Sequence, residues 1–328
     1  MAIGTESVRS LESFANPAVP VQLPQRSSAD GVMVSDGRRV RRLLHVDGAP
    51  VLVTVCSARA GEGGGVRLLA EALDPDLVDY QTDDLRSTDR REASPEQLAS
   101  AIERMRFALC LDEDPSDFFD AHRGDSLLGP VIARRPWARP RRQPWPWEAL
   151  VWAIVRQSIE PVEAARTQRR LVHRWGPRVE MAGSPDRLFD LPSAQAIADA
   201  APAEMVSKGL TETRAIAMAR AAREIVSGRV DLQRTETDDR LLLIREVDGV
   251  TIEALAAEGR GDLDALSTGD PTLAKLVGRL TDRGRRATLD EVEAFFAPYS
   301  PWRGLAAAFA LTGHYRAVVE GPPLRAVA

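Results

Sequence analysis

The sequence predicts a mainly α protein in which a small N-terminal α+β domain, built on an antiparallel sheet, precedes an all-α domain. Short β-branched runs are confined to the first third of the chain. From about residue 112 onward, apolar residues recur with helical spacing, and caps and glycine stops divide the chain into many short helices. With 328 residues, 44% of them hydrophobic, the chain is long enough for two such domains.

The N-terminal part is predicted to contain an arm and a compact unit. Residues 1–36 have little periodicity, so we expect a flexible N-terminal arm. Residues 37–111 are predicted to form the α+β domain, with the hairpin signal Asp47-Gly48 between its first two strands and a helix that Ser94 caps. The strand runs are Val40–Val46, Val51–Cys56 and Val66–Ala72, and the helix extends from Pro95 to about Leu111.

Residues 112–328 are predicted to form the all-helical domain. The stretch 134–146 is rich in proline and arginine, and we expect an extended linker there rather than a helix. The predicted helices are 115–122, 146–155, 161–175, 193–201, 211–227, 238–246, 252–258, 270–283, 289–296 and 302–312.

Composition excludes several classes of protein. No apolar run is long enough to span a membrane, and the N-terminus lacks the basic and apolar regions of a secretory signal. The two cysteines, Cys56 and Cys110, are too few for a four-cysteine iron–sulfur cluster or a cysteine-rich zinc site. We therefore expect a reduced, cytoplasmic protein without a metal site.

The net charge of −5 is mildly unfavourable for nucleic-acid binding, yet the basic residues are clustered. Segregated charge makes the net value a weak guide, because a locally basic face is sufficient to bind a phosphate backbone. The clusters are Arg134, Arg135, Arg139, Arg141 and Arg142; Arg166, Arg169, Arg170 and Arg174; and Arg279, Arg283, Arg285 and Arg286.

The segment Leu266-Ser267-Thr268-Gly269-Asp270-Pro271 places a carboxylate at the predicted start of a helix. An Asp-Pro step is also what an ordinary helix N-cap looks like, so Asp270 alone does not indicate chemistry. A glycine turn, Asp248-Gly249-Val250-Thr251, precedes it, and Pro301-Trp302-Arg303 follows it. The order of turn, helix, aspartate, helix and aromatic residue is the feature that needs explaining.

Four segments in this order resemble the helix–hairpin–helix DNA glycosylase superfamily, and specifically its DNA-3-methyladenine glycosylase II group. They are PWEALVWAIVRQSIEPVEAARTQRRLVHRW (146–175), RAIAMARAAREIVSGRVDL (214–232), LSTGDPTLAKLVGRL (266–280) and FFAPYSPWRGLAAAFAL (295–311). The match covers about residues 37–315, including the N-terminal α+β unit. The resemblance implies an N-terminal α+β domain followed by an all-helical glycosylase domain, residues 112–328, that contains the active-site cleft.

The resemblance also implies roles for two residues. Asp270 matches the catalytic aspartate of the group, whose carboxylate stabilises an oxocarbenium-like deoxyribose and orients the attacking water. Trp302 matches a tryptophan that stacks on the flipped base; the alternative is that it is a core residue at a helix start. An alkylated purine is already cationic, so its release needs no strong general acid.

The residues that would grip DNA depart from the group's pattern. Gln157 and Ser158 align with the step that fills the gap left by the flipped base, although Ser158 is small for a wedge. In the hairpin, Gly249, Val250 and Thr251 would offer N–H groups to a phosphate, but a second glycine and a tryptophan of the pattern are missing. No cofactor is expected, and the shortened turn disfavours the monovalent cation that the longer hairpin holds. No lysine lies in this region, so we expect no Schiff-base lyase activity.

The sequence thus predicts a monomeric, monofunctional DNA glycosylase that excises a damaged base, of the alkylated kind, from double-stranded DNA in base excision repair at the nucleoid. Two alternatives remain open. One is a DNA-binding or damage-sensing relative with weak catalysis, which the altered hairpin favours. The other is a glycosylase of shifted lesion specificity, in which the absence of the hairpin tryptophan would leave a more open base pocket.

Overall fold

The computed structural model describes residues 9–58, 65–81, 91–157, 159–180 and 187–319. It has an N-terminal antiparallel sheet followed by a mainly helical region, as the sequence predicts. The five strands of this sheet are β1 (Ser10–Ala15), β2 (Met33–Ser35), β3 (Arg39–Val46), β4 (Ala49–Ser57) and β5 (Val66–Ala72). Their order in the sheet is β1-β5-β4-β3-β2, with every neighbouring pair antiparallel.

The N-terminal segment differs from the flexible arm expected over residues 1–36. Residues 10–15 pair with β5 from Ser10 opposite Glu71 to Ala15 opposite Val66, and residues 33–35 pair with β3. Leu11, Ser13 and Ala15 alternate with the more exposed side chains of this strand, the period-2 pattern of a half-buried edge. The segment therefore supplies both edge strands of the sheet.

Helix α1 (Pro95–Ala108) packs against the sheet and completes the first hydrophobic core. Ser94 and Gln97 form a reciprocal capping box at its start, so two backbone N–H groups that the helix leaves unpaired are satisfied locally. Leu98, Ala101, Ile102 and Met105 lie on the buried face of the helix. This i, i+3, i+4 spacing explains why one helix is sufficient to cover this face of the sheet.

The described α-helices of the second region are α2 (Ser116–His122), α3 (Gly129–Arg134), α4 (Pro146–Arg156), α5 (Pro161–Trp175), α6 (Ala194–Asp199), α7 (Pro202–Ser207), α8 (Glu212–Val226), α9 (Asp238–Leu242), α10 (Gly249–Ala254), α11 (Pro271–Leu280), α12 (Leu289–Phe296) and α13 (Arg303–Val319). The region is built around one buried helix, α4, which packs against α5, α8 and α10. A separate core joins the start of the region to its end, with α2 and α3 against α11, α12 and α13.

The region after residue 111 is not entirely helical. Strands β7 (Arg178–Glu180) and β8 (Arg187–Phe189) form a small antiparallel sheet with β6 (Val78–Asp79), in the order β6-β7-β8. Val78 and Val179, which pair in this sheet, belong to a buried cluster with Leu43 and Leu52 of the first sheet. These short strands therefore join the two parts of the chain. No described helix is long and apolar enough to cross a membrane.

A buried ion pair also joins the sheet to α4. Arg42 on β3 donates to Glu148 on α4 at 2.7 Å, and the two side chains are 4% and 0% exposed. Asp190 lies 3.7 Å from the same guanidinium. Its Oδ2 is also 2.9 Å from Nδ1 of His45, within hydrogen-bond distance. Burial raises the pKa of Glu148 to about 7, although the Arg42 guanidinium acts in the opposite direction.

We expect Arg42→Met to lower the free energy of unfolding by about 3–5 kcal/mol at pH 8, because two buried carboxylates then lose their cation. The folded-state pKa of Glu148 lies above its unfolded value, so folding favours the protonated form and this group stabilises less as the pH rises from about 4.5 to about 7. Without Arg42 that pKa rises further. The loss should therefore be smaller at pH 5 than at pH 8, as measured by urea denaturation.

Arg166→Met is the matched control. Arg166 is 65% exposed and pairs with Glu163 at 3.3 Å, so its removal should cost less than about 1 kcal/mol at either pH. Equal losses in the two variants, or a loss for Arg42→Met that does not depend on pH, would contradict a buried cation that holds the two parts together.

Candidate functional site

Asp270 is the N-cap of α11. Its Oδ1 accepts from the N–H of Thr272 at 2.7 Å, and Pro271 occupies the first helical position. The cap satisfies one of the N–H groups that a helix start leaves unpaired, and it fixes the rotamer of the side chain. The other oxygen, Oδ2, has no hydrogen-bond partner among the described residues. Because Asp270 is half-buried rather than exposed, this oxygen is an oriented acceptor at the edge of a cleft.

The loop before Asp270 packs tightly against α10. A Cβ built on Gly269 would collide with Cγ1 of Val250, so the close approach requires glycine at this position. The buried Thr268 donates from its hydroxyl to Glu253 Oε2 at 2.8 Å. These two contacts tie the carboxylate of Asp270 to the glycine turn that the sequence singled out.

Two clefts meet at Asp270. Cleft A, about 110 Å³, lies between α4, the start of α5, α10 and the loop before Asp270; cleft B, about 330 Å³, lies between the 139–141 segment, that loop and α13. The lining of cleft A includes Arg141, Arg156, Gln157, Pro161, Val250, Thr251, Glu258, Ser267 and Asp270. The lining of cleft B includes Arg139, Pro140, Arg141, Glu258, Ser267, Asp270, Ala307, Ala308 and Leu311.

An ion pair lies beside Asp270 in cleft A. Arg156, at the end of α4, donates to Glu258 Oε2 at 2.8 Å and to the carbonyl of Trp152 at 3.0 Å. Burial lowers the pKa of the Arg156 guanidinium, but the Glu258 carboxylate and, more weakly, the Asp270 carboxylate outweigh it and raise the pKa above its ordinary value. The site therefore contains a cation that both carboxylates stabilise.

The glycine turn is a compact helix start rather than an open loop. Glu246 adopts a left-handed backbone conformation with φ 72°, and α10 begins at Gly249. Asp248 caps this helix, accepting from the N–H and the hydroxyl of Thr251 at 3.0 Å each. The N–H of Thr251 is therefore taken, whereas those of Gly249 and Val250 have no partner among the described residues. Phosphate binding by Gly249, Val250 and Thr251 stays a prediction. The carboxylate of Asp248 lies at the same turn.

Gln157 connects α4 to the turn. Its side-chain amide donates to the carbonyl of Glu246 and to the hydroxyl of Thr251, at 2.7 Å each. The carbonyl of Gln157 accepts from the guanidinium of Arg214. These contacts bring Gln157 together with the predicted hairpin residues and with Asp270 in cleft A. Ser158, its predicted neighbour in the DNA gap, lies outside the described residues.

Trp302 is not brought together with Asp270. Its ring packs edge-on against Phe118 and His122, with centroids 6.1 Å apart in each pair, in the core between α2 and α13. Trp302 is absent from the lining of clefts A and B. This arrangement corresponds to the alternative of a core tryptophan at a helix start, and stacking on a base stays a prediction.

Sequence reasoning missed Arg156 and Glu258. Arg156 follows the apolar run of α4 and directly precedes Gln157, so its position at the end of a buried helix was a signal. Glu258 carried no such signal, because only the fold brings it to Arg156. Among the described residues no group of histidine, cysteine, aspartate and glutamate side chains is arranged to hold a metal ion.

The fold is similar to that of solved DNA glycosylases. A 3-methyladenine DNA glycosylase from Archaeoglobus fulgidus superposes with a TM-score of 0.73 at 17% identity, covering 93% of this chain and 98% of that chain. An 8-oxoguanine glycosylase/lyase from Clostridium acetobutylicum, in complex with double-stranded DNA containing cytosine opposite 8-oxoG, gives 0.58 at 14% identity, with 84% and 88% covered. A structure of MBOgg1 with a low-affinity DNA ligand gives 0.58 at 17% identity, with 85% and 96% covered.

These similarities show the fold: the chain shares the overall architecture of these solved structures over nearly its whole length. No protein-family model and no curated protein matches its sequence.

The packing of Gly269 on Val250 gives a prediction about stability. Gly269→Ala should lower the free energy of unfolding by about 1–3 kcal/mol, because its methyl group overlaps Val250. Val250→Ala alone should lower the free energy of unfolding by about 1 kcal/mol. The double variant should be more stable than Gly269→Ala alone, because it lacks the Cγ1 methyl group of Val250 with which the new alanine would collide. Thermal and urea denaturation of the four proteins measure the coupling.

Gly124→Ala is the control, since a Cβ at Gly124 meets nothing within 4 Å. It should change the free energy of unfolding by less than about 1 kcal/mol. Strict additivity of the Gly269 and Val250 substitutions would mean that the loop before Asp270 is not held by this contact.

Proposed function

We propose that this protein is a monofunctional DNA glycosylase that flips a damaged, alkylated base out of duplex DNA and hydrolyses its N-glycosidic bond, with Asp270 as the catalytic carboxylate. The observation that carries the proposal is the position of Asp270: an oriented, half-buried carboxylate where two clefts meet, beside a short helical turn. The similarity in fold to the 3-methyladenine glycosylase of Archaeoglobus fulgidus supports it.

The arrangement suits base excision for a geometric reason. The glycosidic bond is unreachable inside the stack, so the nucleotide must leave the duplex and enter a pocket. Cleft B is the larger of the two and has the small side chains Ala307 and Ala308 in its wall, which leaves room for a planar base. Asp270 would then lie at the boundary between the base and its sugar.

Asp270 would act on charge that develops during cleavage. As the bond to the base lengthens, positive charge builds on the deoxyribose, and a fixed carboxylate near C1′ stabilises it. Oδ1 is held by the N–H of Thr272, which leaves Oδ2 to face the sugar or to orient the attacking water. Because an alkylated base leaves as a neutral molecule, a single carboxylate is sufficient.

We expect Asp270→Asn to lower base release from methylated duplex DNA by about 100- to 1000-fold, because asparagine retains the helix cap but not the charge. Affinity for duplex DNA should change little. Single-turnover release of free base, resolved by chromatography, and a separate DNA-binding titration measure the two effects.

Asp282→Asn is the control, since Asp282 is exposed beyond the end of α11 and asparagine tolerates its left-handed conformation with φ 50°. It should release base like the wild type. If the wild type binds DNA but releases no base, the damage-sensing alternative is the correct one.

The positions of the lysines support the expectation that the protein has no lyase activity. A Schiff-base mechanism needs an amine at C1′ of the sugar. The chain has two lysines. Lys275 on α11 pairs with Glu160 at 3.1 Å, Lys208 lies at the end of α7, and neither lines cleft A or cleft B. Borohydride should therefore trap no covalent complex with DNA after base release, and a trapped complex, resolved by denaturing electrophoresis, would argue for a bifunctional enzyme.

The glycine turn should bind a phosphate weakly, because the Asp248 carboxylate lies where the phosphate would approach. Serine is a good helix cap without a charge, so Asp248→Ser should keep α10 and raise affinity for duplex DNA about 2- to 5-fold at low salt. The gain should shrink as the salt concentration rises, because salt screens the repulsion that the substitution removes. Fluorescence anisotropy at several salt concentrations measures it.

Asp117→Ser, on the exposed face of α2, makes the same change in net charge and is the control. An equal gain from both substitutions would assign the effect to net charge rather than to the turn.

A further inference from the structure

We propose that a basic groove on α5 binds the phosphate backbone of a second DNA duplex while the candidate active site holds the first, so that the protein passes directly from one DNA segment to another. The proposal goes beyond the proposed function, from which it takes only that the first duplex binds at clefts A and B. The basic groove, about 570 Å³, is lined by Arg166, Arg169, Arg170, His173, Arg174 and Lys208.

The first argument is the chemistry of the lining. Among its described residues, five carry a positive charge at neutral pH and none is apolar. Burial lowers the pKa of the sixth, His173, and the charges of Arg169 and Arg178 lower it further. Interfaces between proteins have an apolar core, whereas a phosphate backbone is bound by cations and needs none. The basic groove therefore has the chemistry of a phosphodiester site.

The second argument is charge that the protein does not neutralise. Glu163 pairs with Arg166 at 3.3 Å and lies 3.8 Å from Arg170. Glu204 pairs with Arg174 at 3.3 Å. These two carboxylates balance two of the five cations, and both are about half-exposed, so the pairs are weak and a phosphate can compete for the arginines.

Backbone carbonyls orient two of the arginines. Arg169 donates to the carbonyl of Ala29 at 2.8 Å, and Arg170 donates to the carbonyl of Lys208 at 3.4 Å. A guanidinium has five N–H groups, so one such bond fixes its direction and leaves donors for phosphate oxygens. Arg166 and Arg170 are still 65% and 51% exposed. The basic groove is thus accessible and partly preorganised.

The third argument is the direction in which the basic groove faces. α5 presents Ala164 to cleft A, and no described residue lines both the basic groove and either cleft. At about 100° per residue, Arg166, Arg169 and Arg170 lie about 120–160° around the helix from Ala164. A duplex whose flipped nucleotide enters the clefts lies against the opposite face of α5, so the basic groove is left for a different segment.

The length of the basic groove suits a duplex. From Arg166 to Arg174 the helix rises about 12 Å. B-DNA carries one charge per about 1.7 Å of its axis, so about seven phosphates lie within this length. Contacts of this kind do not depend on sequence and give dissociation constants of about 10⁻⁶–10⁻⁴ M. Such weak binding suits transfer, because the second segment is captured only briefly.

Dissociation in the presence of competitor tests the proposal. The protein is bound to a fluorescent duplex that contains an uncleavable abasic-site analogue, and it is then mixed with increasing concentrations of the same unlabelled duplex in a stopped-flow instrument. The observed dissociation rate of the wild type should rise with competitor concentration, because the basic groove captures the competitor before the first duplex leaves. Sedimentation at low salt should show two duplexes per protein.

The double variant Arg166→Gln/Arg170→Gln should lower the dependence on competitor about 10-fold, because two phosphate contacts are lost. The slope of log affinity against log salt for the second duplex should become less steep by about two. Affinity for the first duplex and base release should not change. Arg9→Gln/Arg123→Gln is the matched control, since both arginines are exposed and paired with a carboxylate elsewhere; it should behave like the wild type.

Three results would overturn the proposal. One is a wild-type dissociation rate that does not depend on competitor, with one duplex per protein. Another is an equal loss of first-duplex affinity in the groove variant, which would place the basic groove in the footprint of the first duplex. The third is a groove that binds poly-glutamate but no second duplex, which would indicate an acidic protein partner. If the wild type transfers between duplexes but releases no base, the proposed function fails and this proposal stands.

Discussion

The burial of α4 is the constraint on which the rest of the structure depends. Every residue from Glu148 to Val155 is buried, so the helix has no freedom to slide or rotate within the core. At its start, Glu148 meets the Arg42 guanidinium of the sheet, and at its end Arg156 and Gln157 reach the candidate site. One rigid element thus fixes the sheet, the glycine turn and one wall of cleft A with respect to each other.

The site itself combines a common local motif with an uncommon position. A capping aspartate is found at many helix starts, and here its cap only fixes the direction of the carboxylate. The fold adds the tight packing of Gly269 on Val250, the two clefts and the Arg156–Glu258 pair. These surroundings distinguish Asp270 from an ordinary cap, and they result from contacts between residues far apart in sequence.

Local signals predicted those elements that local chemistry determines. The Ser94 capping box gave the start of α1, and the Asp47-Gly48 turn joins the two central strands; both residues of the turn have positive φ. The edge strand β1 was missed because its pairing with β5 is non-local and its own sequence has weak β propensity. Strands β7 and β8 were missed because each has only three residues, too few to show an alternating pattern, and because β7 pairs on its other side with the distant β6.

The chemistry-bearing residues follow the same division. Asp270 and Gln157 were predicted from motifs in sequence order, whereas Arg156 and Glu258 meet across 102 residues of chain. Trp302 was also identified from a motif, and its role at a base stays a prediction; its packing against Phe118 and His122 depends on tertiary contacts that the motif does not encode.

The central claim is that Asp270 acts on the sugar of a nucleotide flipped into the adjoining clefts. A crystal structure of the protein with a duplex that contains a cationic abasic-site analogue tests it most directly. The account predicts a flipped analogue whose ring carbon equivalent to C1′ or ring nitrogen lies about 3–3.5 Å from an Asp270 carboxylate oxygen, the separation of reacting groups. An analogue that remains in the duplex, or that is flipped but bound away from Asp270, would contradict it.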